Sequence, residues 1–353
     1  MVDSLKRVFV DKRVLVTGHT GFVGTWLTKY LITVGSDVCG YSLSPHTHPN
    51  KFDALDLSRE LKDVRGDILN KDYLKKVIEE FKPEIVFHLA AQPIVLEAYD
   101  KPIETFQTNV IGTVNLLDVL RKIDSVKTII VMTSDKSYRN NEWVYPHRET
   151  DPLGGKHPYS ASKSWQDIVV NSFKESFFTK SDVAISSIRA GNIIGGGDWS
   201  RYRIVPDIVG SLMTNNDENI RNPDSTIPWQ HVLDPILGML KLVQNILTDN
   251  IFSSDWNFGP NYPRQDSVRE LTEKFIEFWE KGTYHSKKEA DTIESSKLQL
   301  DVSKARSLLG WSSRYNFEET LKMTVDWYKA YYFKPEEIDQ VPEDQIRSHF
   351  LGE

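Results

Sequence analysis

Short apolar runs alternate with amphipathic segments along the first half of the chain. The apolar runs predict buried strands at residues 13–17, 37–41, 63–66, 85–89, 128–133 and 183–188. The amphipathic segments predict helices at residues 21–34, 71–81, 104–122 and 159–175. Continuous Val- and Ile-rich strands separated by helices are typical of a parallel sheet that is covered on both faces. We therefore predict a doubly wound α/β fold, in which ligands bind at the carboxyl ends of the strands.

The alternation ends after Ala190, and the composition changes from Gly195 onwards. This second half is rich in glycine, proline, asparagine and tryptophan, and its periodicity predicts helices at residues 205–213, 234–247, 267–281 and 317–330. We predict a first domain over residues 1–190 and a smaller second domain mostly over residues 191–353, with elements that cross back to the sheet. The polar tail after Phe333 is expected to be a loosely packed end.

A glycine-rich loop follows the first predicted strand and opens the first predicted helix. Its sequence, GHTGFVG over residues 18–24, has the spacing GxxGxxG. Glycines at this spacing make a tight turn, let the backbone approach a pyrophosphate and allow close packing of helix and strand, while the helix N-terminus faces the phosphates. The loop predicts a Rossmann-type dinucleotide site in the first domain, with contacts from Gly18, Thr20, Gly21, Phe22, Val23 and Gly24.

The strand ends indicate which dinucleotide binds and what else touches it. The second strand ends in Gly40-Tyr41-Ser42, with neither an acidic residue for the ribose hydroxyls nor a basic residue for a 2′-phosphate. The absence of a basic residue favours NAD over NADP as the cofactor. The remaining contacts that we predict are Asp67 and Ile68 at the adenine, the small-residue segment Leu89, Ala90, Ala91 and Gln92 after the fourth strand, and Thr108.

Tyr159 and Lys163 have the spacing Tyr-x-x-x-Lys on a predicted helix, where residues i and i+4 share one face. A free tyrosine is a poor base at neutral pH because its pKa is about 10. A nearby lysine and the positive nicotinamide of NAD favour the phenolate and lower this pKa. Tyr159 is then able to take a proton from an alcohol while a hydride leaves the same carbon. Ser134, at the end of the fifth strand, is placed to hydrogen-bond the reacting hydroxyl.

Asp135 and Lys136 follow Ser134 and add two titratable groups at the same strand end. An alcohol dehydrogenase needs only the serine, the tyrosine and the lysine of the helix. An additional acid and base favour a second reaction, in which a proton α to a new ketone is removed and a hydroxyl is expelled from the β carbon. The alternative is a salt bridge that only supports the strand end.

Composition argues against several other classes of protein. The 353 residues carry a net charge of −7, which disfavours nucleic acid as a partner. The single cysteine, Cys39, leaves no internal disulfide and no cysteine-based zinc site, and its apolar surroundings predict a buried structural thiol; we predict no metal site. We see neither a signal peptide nor an apolar run of the ~20 residues that span a bilayer. We therefore expect a cytoplasmic protein with no membrane partner.

Seven motifs resemble those of the CDP-glucose 4,6-dehydratases, a family of extended short-chain dehydrogenases. They are GHTGFVGTWL, FHLAAQPIV, TSDKSYRNNEW, DPLGGKHPYSASK, RAGNIIGGGDW, IRNPDSTIPWQHVL and WNFGP, in the order of the family. Asp135-Lys136 matches this family, whereas the related dTDP-glucose dehydratases carry Asp-Glu. The resemblance implies tightly held NAD and a nucleotide-sugar substrate. It also implies that Tyr159 takes the C4 hydroxyl proton, Lys136 takes the C5 proton, and Asp135 protonates the departing C6 hydroxyl.

The resemblance also implies substrate contacts and an assembly. The substrate contacts that we expect are Gln92, Ser134, Asn192, Arg203, Arg221 and Trp229. A homodimer, or a dimer of such dimers, is expected to form through a four-helix bundle made by the helices that start near residues 104 and 159. Such a bundle would bury Val114, Leu117, Trp165 and Ile168; the alternative is that they are ordinary core residues against the sheet.

Three positions depart from the pattern of the family. Leu96 and Ile227 stand where the family usually has arginines at the substrate, and Val23 replaces a lysine. We expect a weaker diphosphate clamp, or one that is moved to Arg201, Arg203 or Arg221. Two alternatives stay open: a nucleotide-sugar 4-epimerase or decarboxylase on the same scaffold, and an NAD-binding regulator without catalytic activity.

Overall fold

The structure is a computed structural model that describes residues 2–214, 218–220, 222–261, 266–286 and 298–351. The strands in this part of the chain are β1 (Arg13–Thr17), β2 (Asp37–Ser42), β3 (Lys62–Arg65), β4 (Ile85–His88), β5 (Thr128–Met132), β6 (Ala184–Ala190), β7 (Ile193–Ile194), β8 (Glu218–Ile220), β9 (Thr226–Ile227), β10 (Gln230–His231), β11 (Trp256–Phe258), β12 (Asp266–Ser267) and β13 (Tyr284–Ser286).

The helices of the described residues are α1 (Val2–Phe9), α2 (Phe22–Thr33), α3 (Lys51–Ala54), α4 (Lys71–Phe81), α5 (Val95–Asp100), α6 (Pro102–Phe106), α7 (Gly112–Leu120), α8 (Pro158–Phe173), α9 (Ile204–Thr214), α10 (Leu233–Ile246), α11 (Val268–Trp279), α12 (Ser303–Leu309), α13 (Phe317–Phe333) and α14 (Gln340–Ile346). Within the same residues, no helix combines the length and the apolar character that a membrane crossing requires.

Seven strands form one parallel sheet in the order β11–β6–β5–β4–β1–β2–β3. This order is that of a doubly wound Rossmann sheet, so the predicted fold class is confirmed. Six of these strands are the ones predicted from apolar runs, and their ends differ from the predicted ones by at most two residues. The seventh, β11, comes from the second half of the chain and pairs with β6. The winding reverses between β1 and β4, and ligands bind at this switch point in such sheets.

Both faces of the sheet are buried under helices, which explains the continuous apolar runs. Along β1, Leu15 points into one hydrophobic cluster while Val14 and Val16 point into the other, since successive side chains of a strand alternate between the faces. The first cluster packs against α4 and α7, and the second against α2 and α10. Cys39 is buried in the first cluster as predicted, and burial raises the pKa of its thiol to about 12.

Two of the predicted helices contain a π turn. The predicted helix 104–122 consists of α6, a π turn over Gln107–Ile111, and α7. The predicted helix 159–175 is α8, which runs into a second π turn over Lys174–Phe178. Turns of this kind are rare and occur often at functional sites. The first one carries Asn109, which is fully buried next to the candidate active site.

The tail after Phe333 is well packed, and the prediction of a loose end was wrong. It contains α14 and a π turn, and Phe350 lies in the core with its ring centroid 4.6 Å from that of Tyr30. Ile346 is fully buried beside it. The few apolar residues of this polar segment recur on one helical face, and their burial is enough to dock it.

The residues expected at a subunit interface differ in exposure. Leu117 is fully buried in the hydrophobic cluster under α7, so its place in the expected bundle was wrong. Val114 is half-buried, whereas Trp165 and Ile168 on α8 are 59% and 54% exposed. The apolar periodicity of a helix shows which residues are buried. It does not show whether they are buried against the sheet or against a partner subunit.

Candidate active site

The loop between β1 and α2 is held against the end of β4. Gly18 has a φ of 77°, and a β-carbon there would lie 2.7 Å from the Ala90 nitrogen. A β-carbon at Gly24 would lie 2.1 Å from the Gly18 carbonyl oxygen. For Gly21, the nearest atom to such a β-carbon would be the same oxygen at 3.3 Å. The fold therefore requires Gly18 and Gly24, whereas a β-carbon at Gly21 would press only on that one oxygen, and Gly21 lines a pocket whose space a ligand can use.

The first turn of α2 presents backbone donors to that space. Gly21 is the N-cap and has no side chain to offer, and Phe22 and Val23 follow in a first turn without acidic residues. The N–H groups at a helix start bind anions such as a pyrophosphate. The hydroxyl of Thr20, also predicted as a contact, lies 2.9 Å from the Ser42 hydroxyl. Thr20 thus ties the loop to the end of β2.

The ends of β2 and β3 are joined by charged side chains that the sequence analysis did not single out. His19 Nε2 lies 2.8 Å from Asp63 Oδ1, and Asp63 also pairs with Arg65 at 2.8 Å. Burial lowers the pKa of His19 to about 4, so its ring is neutral at neutral pH. Arg65 donates to the Leu43 carbonyl at 3.2 Å. A basic residue from β3 therefore reaches the end of β2, but Asp63 compensates its charge.

Among the remaining predicted cofactor contacts, the side chain of Gln92 already makes hydrogen bonds within the protein. Gln92 Nε2 donates to the Ile94 carbonyl at 3.1 Å and to the Thr105 hydroxyl at 3.0 Å. Its backbone N–H donates to Asn109 Oδ1 at 2.8 Å. The Gln92 side chain therefore shapes its own loop. Of the others, Leu89, Ala90, Ala91 and Thr108 are half-buried, Asp67 is exposed and Ile68 is buried.

Tyr159 and Ser134 meet at the carboxyl edge of the sheet. Tyr159 is buried near the start of α8, and the Ser134 hydroxyl lies close enough to act on its phenol. Burial raises the pKa of Tyr159, and the positive charges of Lys136 and Arg203 oppose the rise. The groups of the protein alone thus do not produce the lowered pKa that the sequence led us to expect. Lys163 is also not the cation that acts most strongly on the phenol.

Lys163 points to the buried side of α8. Its Nζ donates to Gln166 Oε1 at 2.8 Å and to the Met132 carbonyl at 3.3 Å. Burial lowers the pKa of Lys163 to about 8, and the carboxylate of Asp167 opposes that effect. The lysine is therefore charged at neutral pH, but only by a small margin.

Asp135 lies among the predicted catalytic and substrate residues. It is 3% exposed, and its Oδ1 accepts hydrogen bonds from the Ser134 hydroxyl and the Lys136 N–H, both at 2.9 Å. Asn192 Nδ2 donates to its Oδ2 at 3.4 Å. A β-carbon at Gly191 would lie 2.1 Å from this carboxyl group. The fold brings these predicted residues together and fixes the carboxyl group beside Ser134.

A buried network supports the turn that carries these residues. The Tyr138 hydroxyl donates to Asn257 Oδ1 and accepts from Arg189, both at 2.8 Å. Arg189 is 1% exposed and pairs with Asp167 at 3.2 Å and Asp255 at 3.1 Å. These residues come from four separate segments and meet only in the folded chain. No spacing along the sequence could have identified them.

The predicted substrate residues of the second half are placed unequally. Arg203 pairs with Asp198 at 2.7 Å and lies close enough to act on the phenol described above. Trp229 is 7% exposed, and among the described residues its indole N–H has no hydrogen-bond partner. Ile227 belongs to β9, which pairs with β12. Arg221 lies outside the described residues.

The glycine-rich loop at the switch point, with a serine and a tyrosine in contact and a lysine one turn further on, defines an extended short-chain dehydrogenase. The sequence profile of the family described as GDP-mannose 4,6 dehydratase matches residues 15–324. The CDP-glucose 4,6-dehydratase of Salmonella typhimurium is 43% identical over 338 residues, which cover 94% of this chain and 94% of that protein. The chain therefore belongs to the GDP-mannose 4,6-dehydratase family.

Solved structures share the fold at lower sequence identity. An epimerase of Methanothermobacter thermautotrophicus superimposes with a TM-score of 0.82 at 22% identity, over 97% of each chain. The dTDP-glucose 4,6-dehydratase of Bacillus anthracis, in complex with NAD, gives a TM-score of 0.75 at 21% identity and covers 91% of this chain and 97% of its own. At this level of identity, the two structures establish the fold alone.

Proposed function

We propose that the protein is a nucleotide-sugar 4,6-dehydratase, which converts CDP-D-glucose to its 4-keto-6-deoxy derivative with NAD as cofactor. The observation that carries the proposal is the carboxyl group of Asp135, which accepts a hydrogen bond from Ser134, the partner of Tyr159. An enzyme that only oxidises or epimerises C4 has no use for an additional acid at this place. The identity of 43% to a CDP-glucose 4,6-dehydratase favours the same choice.

The first loop fits a bound dinucleotide. A β-carbon at Gly18 or Gly24 would collide with the loop or with the end of β4, while one at Gly21 would have a single close neighbour, and Gly21 lines a pocket. We assign the pyrophosphate to this open side of the loop and to the first turn of α2. NAD, when bound, accepts a hydride from the substrate and later returns it.

The residues of the site divide the chemistry between them. Tyr159 removes the proton of the C4 hydroxyl, which Ser134 holds by a hydrogen bond. The ketone at C4 then acidifies the hydrogen at C5, which Lys136 removes. Asp135 gives its proton to the departing C6 hydroxyl, and Asn192 holds its carboxyl group in place. The hydride taken from C4 is then returned to C6, and the proton held by Lys136 is returned to C5. The product has lost water and keeps the oxidation state of the substrate.

We assign the nucleotide end of the substrate to the second half of the chain, residues 191–353. Arg203 is the charged candidate for the diphosphate, and it has to share its ion pair with Asp198. Neither Leu96 nor Ile227 offers a charge at the positions where the family usually does. A charge-assisted hydrogen bond contributes about 1.5–3 kcal/mol. We therefore expect affinity for the diphosphate to depend strongly on Arg203.

We further propose a cytoplasmic homodimer. The support for the dimer is the exposed apolar surface on α6 and α8, where Ile103 is 72%, Trp165 59% and Ile168 54% exposed. Pairing of two such surfaces across a two-fold axis would remove them from water.

Incubation with a panel of nucleotide sugars and NAD, followed by mass spectrometry, tests the function. We expect a product one water molecule lighter from CDP-glucose, and a slower reaction or none from the dTDP, UDP and GDP sugars. A product of unchanged mass would identify a 4-epimerase, and loss of carbon dioxide from a uronic acid would identify a decarboxylase. NAD binding without turnover of any sugar would indicate an NAD-binding regulator without catalytic activity. Tyr159→Phe serves as the control for contaminating enzymes.

A further inference from the structure

We infer that Gln166 is a positioning residue, which holds the side chain of Lys163 in its charged form behind the active site. Gln166 is fully buried on α8, and its Oε1 accepts a hydrogen bond from Lys163 Nζ at 2.8 Å. The inference rests on the proposed function, because it matters only if the lysine serves Tyr159 as a cation during the reaction.

The orientation of the Gln166 amide is fixed by Thr113 on α7. The Thr113 hydroxyl donates to the Asn109 carbonyl at 2.8 Å, so its proton is already used. Its oxygen lies 2.9 Å from Gln166 Nε2, which must be the donor. The amide oxygen is thereby left for Lys163, which has only donors to offer.

His88 on β4 keeps Thr113 in this role. Its Nε2 lies 2.9 Å from the Thr113 hydroxyl oxygen and has to donate, because the Thr113 proton is used elsewhere. Its Nδ1 then accepts from the Thr17 hydroxyl at 2.7 Å. Burial, together with the positive charge of Lys163, lowers the pKa of His88 to about 3, so the ring is neutral and keeps this tautomer. The donors of His88 and Gln166 therefore converge on the Thr113 oxygen, and the amide oxygen of Gln166 is left to accept from the lysine.

Lys163 depends on this acceptor because its own environment disfavours charge. Burial lowers its pKa to about 8. The titratable groups that face it are Asp167 on α8 and His88 on β4. Asp167 is already paired with Arg189 at 3.2 Å, and His88 is neutral. The neutral hydrogen-bond acceptors around the ammonium group therefore set the pH above which Lys163 loses its charge.

A change at Gln166 should move the alkaline limit of catalysis, by which we mean the pH at which the rate falls to half on the alkaline side. The rate falls as the pH rises through the pKa of Lys163, because the unprotonated amine no longer favours the phenolate of Tyr159. Loss of one hydrogen bond to a charged group corresponds to a fall of roughly one to two pH units in that limit. A carboxylate in place of the amide acts in the opposite direction, because it stabilises the ammonium form.

The test compares Gln166→Met and Gln166→Glu by the pH dependence of kcat for the dehydration of CDP-glucose. We expect the alkaline limit to fall by roughly one pH unit or more in Gln166→Met and to rise in Gln166→Glu. Val170→Ala is the control, since this fully buried side chain lies one turn further along α8 and makes apolar contacts. It should lower the melting temperature and leave the alkaline limit unchanged.

The inference is overturned if Gln166→Met or Gln166→Glu is active with the alkaline limit of the wild type. If Gln166→Met does not fold, the upward shift in Gln166→Glu decides alone. Absence of dehydration by the wild type would instead contradict the proposed function. In that case the titration of Lys163 is followed directly, from the resonance of its ε-carbon in protein made with isotope-labelled lysine and assigned by its loss in Lys163→Arg. An unchanged titration in both Gln166 variants would then overturn the inference.

Discussion

At the scale of single residues, the site balances burial against charge around Tyr159. Burial raises the pKa of the phenol, and the positive charges of Lys136 and Arg203 oppose this effect. The neighbouring hydroxyl of Ser134 also favours the phenolate. The strength of Tyr159 as a base is thus set by its neighbours, and the loss of one cation is expected to raise the pH at which activity begins.

Tyr159→Phe removes the proposed base and little else, because the phenyl ring keeps its place in the packing. We expect turnover to fall by about 10² to 10⁴, the usual contribution of a positioned base. NAD affinity and melting temperature should be close to those of the wild type. Steady-state rates, NAD titration and thermal unfolding check these points. Activity within a few-fold of the wild type would remove Tyr159 from the mechanism.

Lys136→Ala should separate the oxidation of C4 from the elimination of water. The ketone still forms, but its C5 proton is no longer removed quickly, so NADH should accumulate in a substoichiometric burst without release of product. The burst is followed by NADH absorbance after rapid mixing, over a series of pH values, because Lys136 also lowers the pKa of Tyr159. Asp135→Asn should stall at a similar stage. If Lys136→Ala loses the burst and the product equally, the lysine supports the first oxidation instead.

The contact between Ser134 and Tyr159 could be predicted because both residues lie at fixed distances from recognisable elements. Ser134 follows the apolar run of β5, and Tyr159 opens a helix with the Tyr-x-x-x-Lys spacing. The partner of Lys163 could not be predicted in this way. Gln166 accepts its hydrogen bond only because Thr113, on a helix about fifty residues away, fixes the orientation of the amide.

At the scale of elements, the glycines of the first loop differ in why a side chain is excluded at each position. Gly24→Ala would place a β-carbon 2.1 Å from a backbone oxygen, so it should lower the melting temperature as well as NAD affinity. Gly21→Ala has an allowed backbone conformation, with φ −78° and ψ 171°, and its β-carbon would press on one backbone oxygen at 3.3 Å, which a small shift relieves. It should lower the melting temperature much less than Gly24→Ala does and weaken NAD binding by about 1–3 kcal/mol, roughly ten- to hundredfold in Kd.

Calorimetric titration with NAD and thermal unfolding of the two glycine variants provide the measurements. If Gly21→Ala binds NAD as tightly as the wild type, the pyrophosphate does not lie on the open side of the loop, and the assignment of this element fails.

The strands were the elements that the sequence predicted best. The five inner strands of the sheet, β1, β2, β4, β5 and β6, are largely buried on both faces, so apolar runs mark them in the sequence, whereas the edge strand β3 has only Val64 buried. The π turn at residues 107–111 could not be predicted, because one additional residue in a turn scarcely alters a helical period. In the tail, the burial of Ile346 and Phe350 outweighs a polar composition, and only the docked structure reveals this.

At the scale of the whole molecule, the exposed residues Trp165 and Ile168 carry the expectation of a dimer. We expect a dimeric mass by light scattering at micromolar concentration. Ile168→Glu should shift it toward the monomer, because a charge would be buried in an apolar interface. Ile251→Glu is the matched control, since Ile251 is 77% exposed on a different segment, the turn Asn250–Phe252. A monomeric wild type, or equal behaviour of the two variants, would contradict the interface on α8.

The order of the sheet was within reach of the sequence, because right-handed crossovers leave few ways to arrange alternating strands and helices. The pairing of β11 with β6 and the contacts of the second half were not, since they join segments that are far apart and have no shared period. The same holds for Asn192, which reaches Asp135 across 57 positions of the chain.

The most direct test of the central claim is the fate of the hydrogen at C4. The protein is incubated with CDP-glucose that carries deuterium at C4, with NAD in catalytic amount, and the product is analysed by mass spectrometry and NMR. A dehydratase of the proposed kind should give a product one water molecule lighter that retains the deuterium, now at C6. A product of unchanged mass, or a dehydrated product that has lost the deuterium, would contradict the account.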